Sequence, residues 1–230
     1  MDKDQPTDAS RGALFERKGF LSLPRNIRDR IYRHALTVTH PLYLFRDVSD
    51  LVELFAPDVP KQWTALLKTN RQISSESSTI LYTYNKFALL DQGEQQSELL
   101  HRFLERIGST KCHLLRSLCI DFPSFRSEHG TIGLEPHVLR SLQLISERCT
   151  GLVTLELNFN NSSKRNLLSI IGDDVDALTV SFSSLIDKFK SITTLQNVVV
   201  LVHGNSVVGT VKAAMQGMDW QIVSNNGTGR

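Results

Sequence analysis

LRSLCIDF, residues 115–122, is the stretch whose reading decides the fold. Leu118, Ile120 and Phe122 alternate with Cys119 and Asp121, the two-residue period of a strand with one buried face. The pattern returns as LVTLELNF at residues 152–159 and as LQNVVV at residues 195–200, so all three read L-x-x-[LV]-x-[LIV]. Each follows an amphipathic helical stretch, at about residues 95–107, 135–149 and 176–189. A helix between successive strands argues for parallel strands joined by crossovers. The spacing of the three starts, 37 and then 43 residues, fits an irregular helix–strand repeat of the leucine-rich class, longer than its common period. It fits equally an ordinary α/β domain whose buried strands share a taste for Leu, Ile and Val. Both give the same coarse architecture.

Upstream the character differs. FLSLPRNIRDRIYRHAL, residues 20–36, puts Leu-Pro ahead of an amphipathic helix. Pro24 suits a first helical turn because its missing N–H is not needed there. Ile27, Ile31 and Ala35 recur every four residues and predict one apolar stripe, with Arg28, Arg30 and Arg33 largely off it. Pro41 closes this region, and residues 42–45 read as a strand. Residues 47–60 read as a loop or a short helix. A second helix is predicted over about 62–83, with Leu66, Ile73, Ser77, Ile80 and Tyr84 on one face. Residues 86–90 read as a strand that pairs with 42–45 in a two-stranded flap.

Composition sets outer bounds. The chain has 230 residues, 40% hydrophobic and 22% charged, with a net charge of +2, which are globular values that argue neither for disorder nor for nucleic acid. Seven basic residues against two acidic ones between positions 11 and 33 read as a solvated helix face or as a docking surface for an acidic partner. The first twelve residues are polar and lack an apolar signal core, and no apolar run nears the ~18 residues of a membrane span. Cys112, Cys119 and Cys149 are few and odd in number, which fits a reducing compartment. The expectation is an intracellular chain, cytoplasmic or nuclear, with no membrane partner.

Three constellations bear on chemistry. HGNSVVGT, residues 203–210, has the G-x-x-x-x-G spacing of a phosphate loop, but Thr210 stands where the loop needs Lys. A nucleotide-binding enzyme using Gly204 to Thr210 is therefore a minor reading. Cys112, His113, His129, His137 and Cys149 lack the C-x-x-C or H-x-x-x-H spacing of a zinc site. Asp173, Asp174 and Asp176 precede a predicted helix and read as charges that stabilise its N-terminus. No G-x-S-x-G elbow is present. The residues thus argue for no catalytic group, no cofactor and no metal.

Two blocks together carry a resemblance. Leu23-Pro24-Arg25-Asn26-Ile27-Arg28 with Ile31-Tyr32 resembles the opening of an F-box. It is still more similar to the fungal F-box-like proteins of the two-EXR type, whose helix reads Leu-Pro-x-Glu-Ile-Arg-x-x-Ile-Tyr. Their later block has its counterpart in Leu66-Leu67-Lys68-Thr69-Asn70-Arg71-Gln72-Ile73, Glu76, Ile80-Leu81-Tyr82 and Asn85-Lys86-Phe87. The match covers roughly residues 20–90. Asn26 stands where those proteins carry Glu, and Arg28 where a plain F-box has an apolar residue. The resemblance implies a helix that docks on the Skp-type adaptor of a cullin ubiquitin ligase through Leu23, Pro24, Ile27, Arg28, Ile31 and Tyr32. The alternative is that Arg28 and Arg71 pair with acids such as Glu76, and that Ile27, Ile31 and Tyr32 are core.

The whole reads as α+β to α/β: a disordered tail over 1–18, a helical F-box-like module over 19–90, a leucine-rich-repeat-like helix–strand module over 91–224, and a second tail over 225–230. The expected function is non-enzymatic protein–protein interaction, as a substrate receptor of a ubiquitin ligase for an unknown target protein, or as a stand-alone scaffold.

Overall fold

The structure, a computed structural model, describes residues 19–60, 62–129, 131–170, 175–203, 209–218 and 220–225. The tail expected over 1–18 lies outside them, as do all but the first residue of the tail expected over 225–230, Gly204 of the phosphate-loop-like stretch and the pair Asp173-Asp174. The chain is mixed α/β, with a mostly parallel seven-stranded sheet among the described residues. The strands are β1 (Leu42–Arg46), β2 (Val52–Phe55), β3 (Lys86–Leu89), β4 (Ser117–Asp121), β7 (Thr154–Phe159), β8 (Asn197–His203) and β9 (Gln221–Asn225). They lie in the order β2-β1-β3-β4-β7-β8-β9. Only β1 and β2 pair antiparallel. A separate hairpin, β5 (Phe125–Glu128) with β6 (Thr131–Leu134), leaves the end of β4.

The three motif strands are β4, β7 and β8, side by side in register: Leu118 faces Leu155, which faces Val198. The helices before them are α3 (Gly93–Ile107), α5 (Pro136–Arg148) and α7 (Val175–Lys190). A shorter α4 (Ser109–Cys112) follows α3, α6 (Asn161–Ile170) follows β7, and α8 (Gly209–Gln216) joins β8 to β9. Every second residue of the strands, from Leu42 and Leu44 through Phe87, Leu118, Ile120, Leu155 and Leu157 to Val200, enters one core shared with these helices. At its far end Phe122, Phe125, Phe182 and Trp220 meet ring against ring, with Phe182 and Trp220 centroids 5.4 Å apart.

The N-terminal part departs from expectation in several places. Residues 42–46 and 86–89 do pair, but in parallel and as neighbours inside the large sheet, not as a flap. The stretch 47–60 contains β2. The single helix expected over 62–83 is a 3-10 turn, Trp63–Lys68, followed by α2 (Arg71–Tyr84). Asn70 makes the break, because its side chain accepts a hydrogen bond from Ile73 N at 3.0 Å and caps α2. The boundary drawn at 90/91 falls just after β3, and the sheet runs across it through the β3–β4 pairing. Asn225, assigned to the C-terminal tail, ends β9.

The turn from α5 into β7 leaves no room for a side chain at Gly151. A Cβ there would lie 2.1 Å from the carbonyl oxygen of His113 and 3.1 Å from its carbonyl carbon. Backbone cannot swing aside as a side-chain tip can, so Gly151→Ala should destabilise the chain by about 1–3 kcal/mol. Urea unfolding of the two proteins measures the difference; an unchanged midpoint would show that the His113 turn yields freely.

Candidate docking face on the first helix

Helix α1 (Arg25–Leu36) starts after Pro24, whose φ of −53° leads into the helix. Its buried residues are Arg28, Tyr32 and Leu36. The expected stripe of Ile27, Ile31 and Ala35 is therefore displaced by one position: Ile31 and Ala35 are exposed and Ile27 is half-buried. The cause is an ion pair that apolar periodicity does not register. Arg28 donates from Nε to Glu76 Oε2 at 2.8 Å and from Nη2 to Glu76 Oε1 at 2.6 Å. This side-on pair satisfies a charge that could not otherwise be buried.

Glu76 sits on α2 and collects further donors, Tyr32 OH at 3.1 Å and Gln72 Nε2 at 3.0 Å. The Arg28 hydrogen bond is the main reason its carboxyl is held down at about 2, against the opposing effect of burial. Burial first, and the bond to Glu76 second, push Tyr32 up to about 12. Arg28 reaches further: its Nη1 donates to the carbonyl oxygens of Leu23 and Leu21. One guanidinium thus ties the Leu-Pro turn, α1 and α2 together. Phe20 lays its edge on Tyr32, with centroids 5.6 Å apart. Asn85 closes the other end, donating from Nδ2 to Leu36 O at 2.8 Å and accepting from Val38 N at 2.9 Å.

The six residues of the expected docking set divide accordingly. Arg28 and Tyr32 face inward and hold the helix. Leu23 is 36% exposed and Ile31 41%, Pro24 is exposed, and Ile27 is half-buried. Ile27 and Ile31 stand one turn apart on the same side of α1. Leu21, 40% exposed, adds an apolar side chain that the sequence reading did not include. Arg33 lies over the Tyr84 ring, 4.5 Å from its centroid, and donates to its hydroxyl at 2.6 Å. Arg71, proposed as a partner for an internal acid, is exposed.

The other candidates do not assemble. Cys112 and Cys149 are buried, His113 bonds to Thr150 Oγ1 at 2.6 Å, and His137 to Ser124 Oγ at 3.2 Å. Among the described residues no three His, Cys, Asp or Glu side chains come together as a metal cluster would require. The Ser124–His137 pair does line a cleft of about 330 Å³ at the end of β4, with Gln96, Asp121 and Ser141. Gln96 there is already engaged, accepting from Asp121 N at 3.1 Å and donating to Asp91 O at 2.7 Å.

No known protein-family model, curated protein or solved structure matches the chain. Among the described residues no helix is long and apolar enough to cross a membrane.

Proposed function

We propose that the chain is a non-enzymatic interaction protein that docks through the outer face of α1, and that its partner there is the Skp-type adaptor of a cullin ubiquitin ligase. The observation that carries this reading is the exposure of Leu23, in the turn before α1, and of Ile31 on α1, 36% and 41%, with the helix anchored from beneath by Arg28 and Glu76. Such an anchor fixes the helix without using its outer apolar side chains, which leaves them for a partner. The adaptor itself is the implication of the F-box-like blocks at residues 20–36 and 66–87. The sheet module then presents a second surface to a target protein. A second reading, a stand-alone scaffold, is favoured by the burial of Arg28 and Tyr32, which are core residues of this chain.

Co-expression with a fungal Skp-type adaptor and size-exclusion chromatography separates the two. Co-elution is expected, and Ile31→Asp is expected to abolish it while leaving circular dichroism unchanged. Absence of co-elution, or co-elution that Ile31→Asp leaves intact, would overturn adaptor docking and leave the scaffold reading.

A further inference from the structure

The two faces of the sheet are unequal. One face supplies the core described above. On the other, Tyr43, Ala88, Cys119, Glu156 and Val199 follow one another across five strands. The next row runs Asp121, Asn158, Leu201 and Val223. None of the apolar residues in these rows belongs to either hydrophobic cluster, although Ala88 and Cys119 are themselves buried. Phe55, stacked on Tyr43, is 52% exposed, as is Leu90, and Val223 is 47% exposed. The face is therefore apolar at both flanks.

Its middle is acidic and short of donors. Glu156 is 7% exposed and receives the Lys86 ammonium on Oε1 at 2.5 Å, but its Oε2 has no hydrogen-bond partner. Two residues along on the same face, Asn158 Oδ1 is also buried without a partner. Asp121 lies directly across from Asn158 on β4. Burial lifts its carboxyl to about 6 and the Asn158 hydrogen bond only partly offsets this, as for a carboxylate with no cation beside it. Of these three acceptors on two adjacent central strands, Glu156 alone has an ion-pair partner among the described residues, Lys86. Buried acceptors left in this state are exceptions in folded proteins and call for an explanation.

We infer that this face binds a partner-protein segment that places an Arg or Lys side chain between Asp121 and Glu156, with apolar side chains on either side meeting Tyr43 and Phe55 at one flank and Leu201 and Val223 at the other. Charge complementarity selects the occupant: a cation supplies the donors that Glu156 Oε2 and Asn158 Oδ1 lack, and the aromatic and aliphatic flanks take the rest of the segment. The inference rests on the reading of the chain as an interaction protein. It is independent of what docks on α1.

The test uses the full chain, isotopically labelled, and two fluorescein-tagged probe peptides, Ser-Leu-Ser-Val-Ser-Arg-Ser-Val-Ser-Leu-Ser, whose apolar side chains share the side of the Arg in an extended chain, and the same peptide with Glu at its centre. The Arg-centred peptide should bind, the Glu-centred one about tenfold or more weakly, and amide shifts should fall on β4, β7 and β8. Asp121→Asn, and Asp121→Asn combined with Glu156→Gln, should weaken the Arg-centred peptide progressively, with folding checked by circular dichroism. Ile31→Asp should leave its affinity unchanged, so failure of adaptor docking and failure of this inference remain separate. No binding of the Arg-centred peptide at about 1 mM, equal binding of both peptides, or indifference to the acidic substitutions would overturn it. Binding that appears only after removal of residues 1–18 would overturn it too, by making the chain's own N-terminal segment the occupant.

Discussion

Glu76→Ala should cost the chain about 3–5 kcal/mol of stability, because removing one member of a buried ion pair leaves the other without its partner. Arg28, 6% exposed, would keep its contacts to the Leu21 and Leu23 carbonyls but lose both carboxylate bonds, and Tyr32 OH would lose its acceptor. For a chain of this length that corresponds to a melting temperature lower by roughly 10 °C. The effect depends on pH with a fixed sign. The folded-state carboxyl is depressed from 4.5 to about 2, so its contribution is complete above about 4.5 and is lost as pH falls toward 2. Urea unfolding at neutral pH and near pH 3 should therefore show the gap between native and variant chains narrowing in acid. A gap that stays constant would mean that the carboxylate charge is not what holds α1 to α2. Ile31→Asp, on the outer side of the same helix, should leave the unfolding midpoint almost unmoved.

Phe182→Ala should be as damaging, by about 3–5 kcal/mol, through the cavity it opens. Phe182 is fully buried, and its ring lies 6.0 Å from Phe122, 6.2 Å from Phe125 and 5.4 Å from Trp220, centroid to centroid. It joins α7 at once to the end of β4, the β5–β6 hairpin and the start of β9. The surrounding rings belong to different elements and cannot close the gap together without moving strands. Unfolding followed by tryptophan fluorescence reports on Trp220 when the chain's other tryptophan, Trp63, is replaced by Phe in both proteins. A loss below about 1 kcal/mol would show that the aromatic group collapses onto the vacancy.

The parts of the fold that were legible in the sequence are those where one face is apolar and the element is long. Leu118, Ile120, Leu155, Leu157 and Val200 alternate cleanly, and β4, β7 and β8 lie where the motif put them. β2, β5, β6 and β9 escaped notice because each has four or five residues and mixes in Glu, Arg, Gly or Asn. Propensity is weak over so short a run, and these strands are held by a neighbour's backbone. The α1 stripe was misplaced for a different reason. Periodicity counts apolar residues, and here the buried position belongs to Arg28, whose partner lies 48 residues away. Glu76 was visible as a candidate acid, but nothing local distinguishes an arginine that will be paired from one that faces water. The cluster of acceptors formed by Asp121, Asn158 and Glu156 was hidden in plain positions, the alternate residues of the strand motif, which are ordinarily solvent-facing.

The strand order bears on how the chain can be made. β3 joins β1 on the side away from β2, and from β3 to β9, apart from the β5–β6 excursion, each strand of the sheet lies beside the one that precedes it along the chain. A segment leaving the ribosome therefore meets a docking edge that has already been synthesised, and no early strand waits for the last one to arrive. Each crossover unit can be added to finished structure, so the exposed edge moves along with synthesis and only one new strand at a time lacks its neighbour.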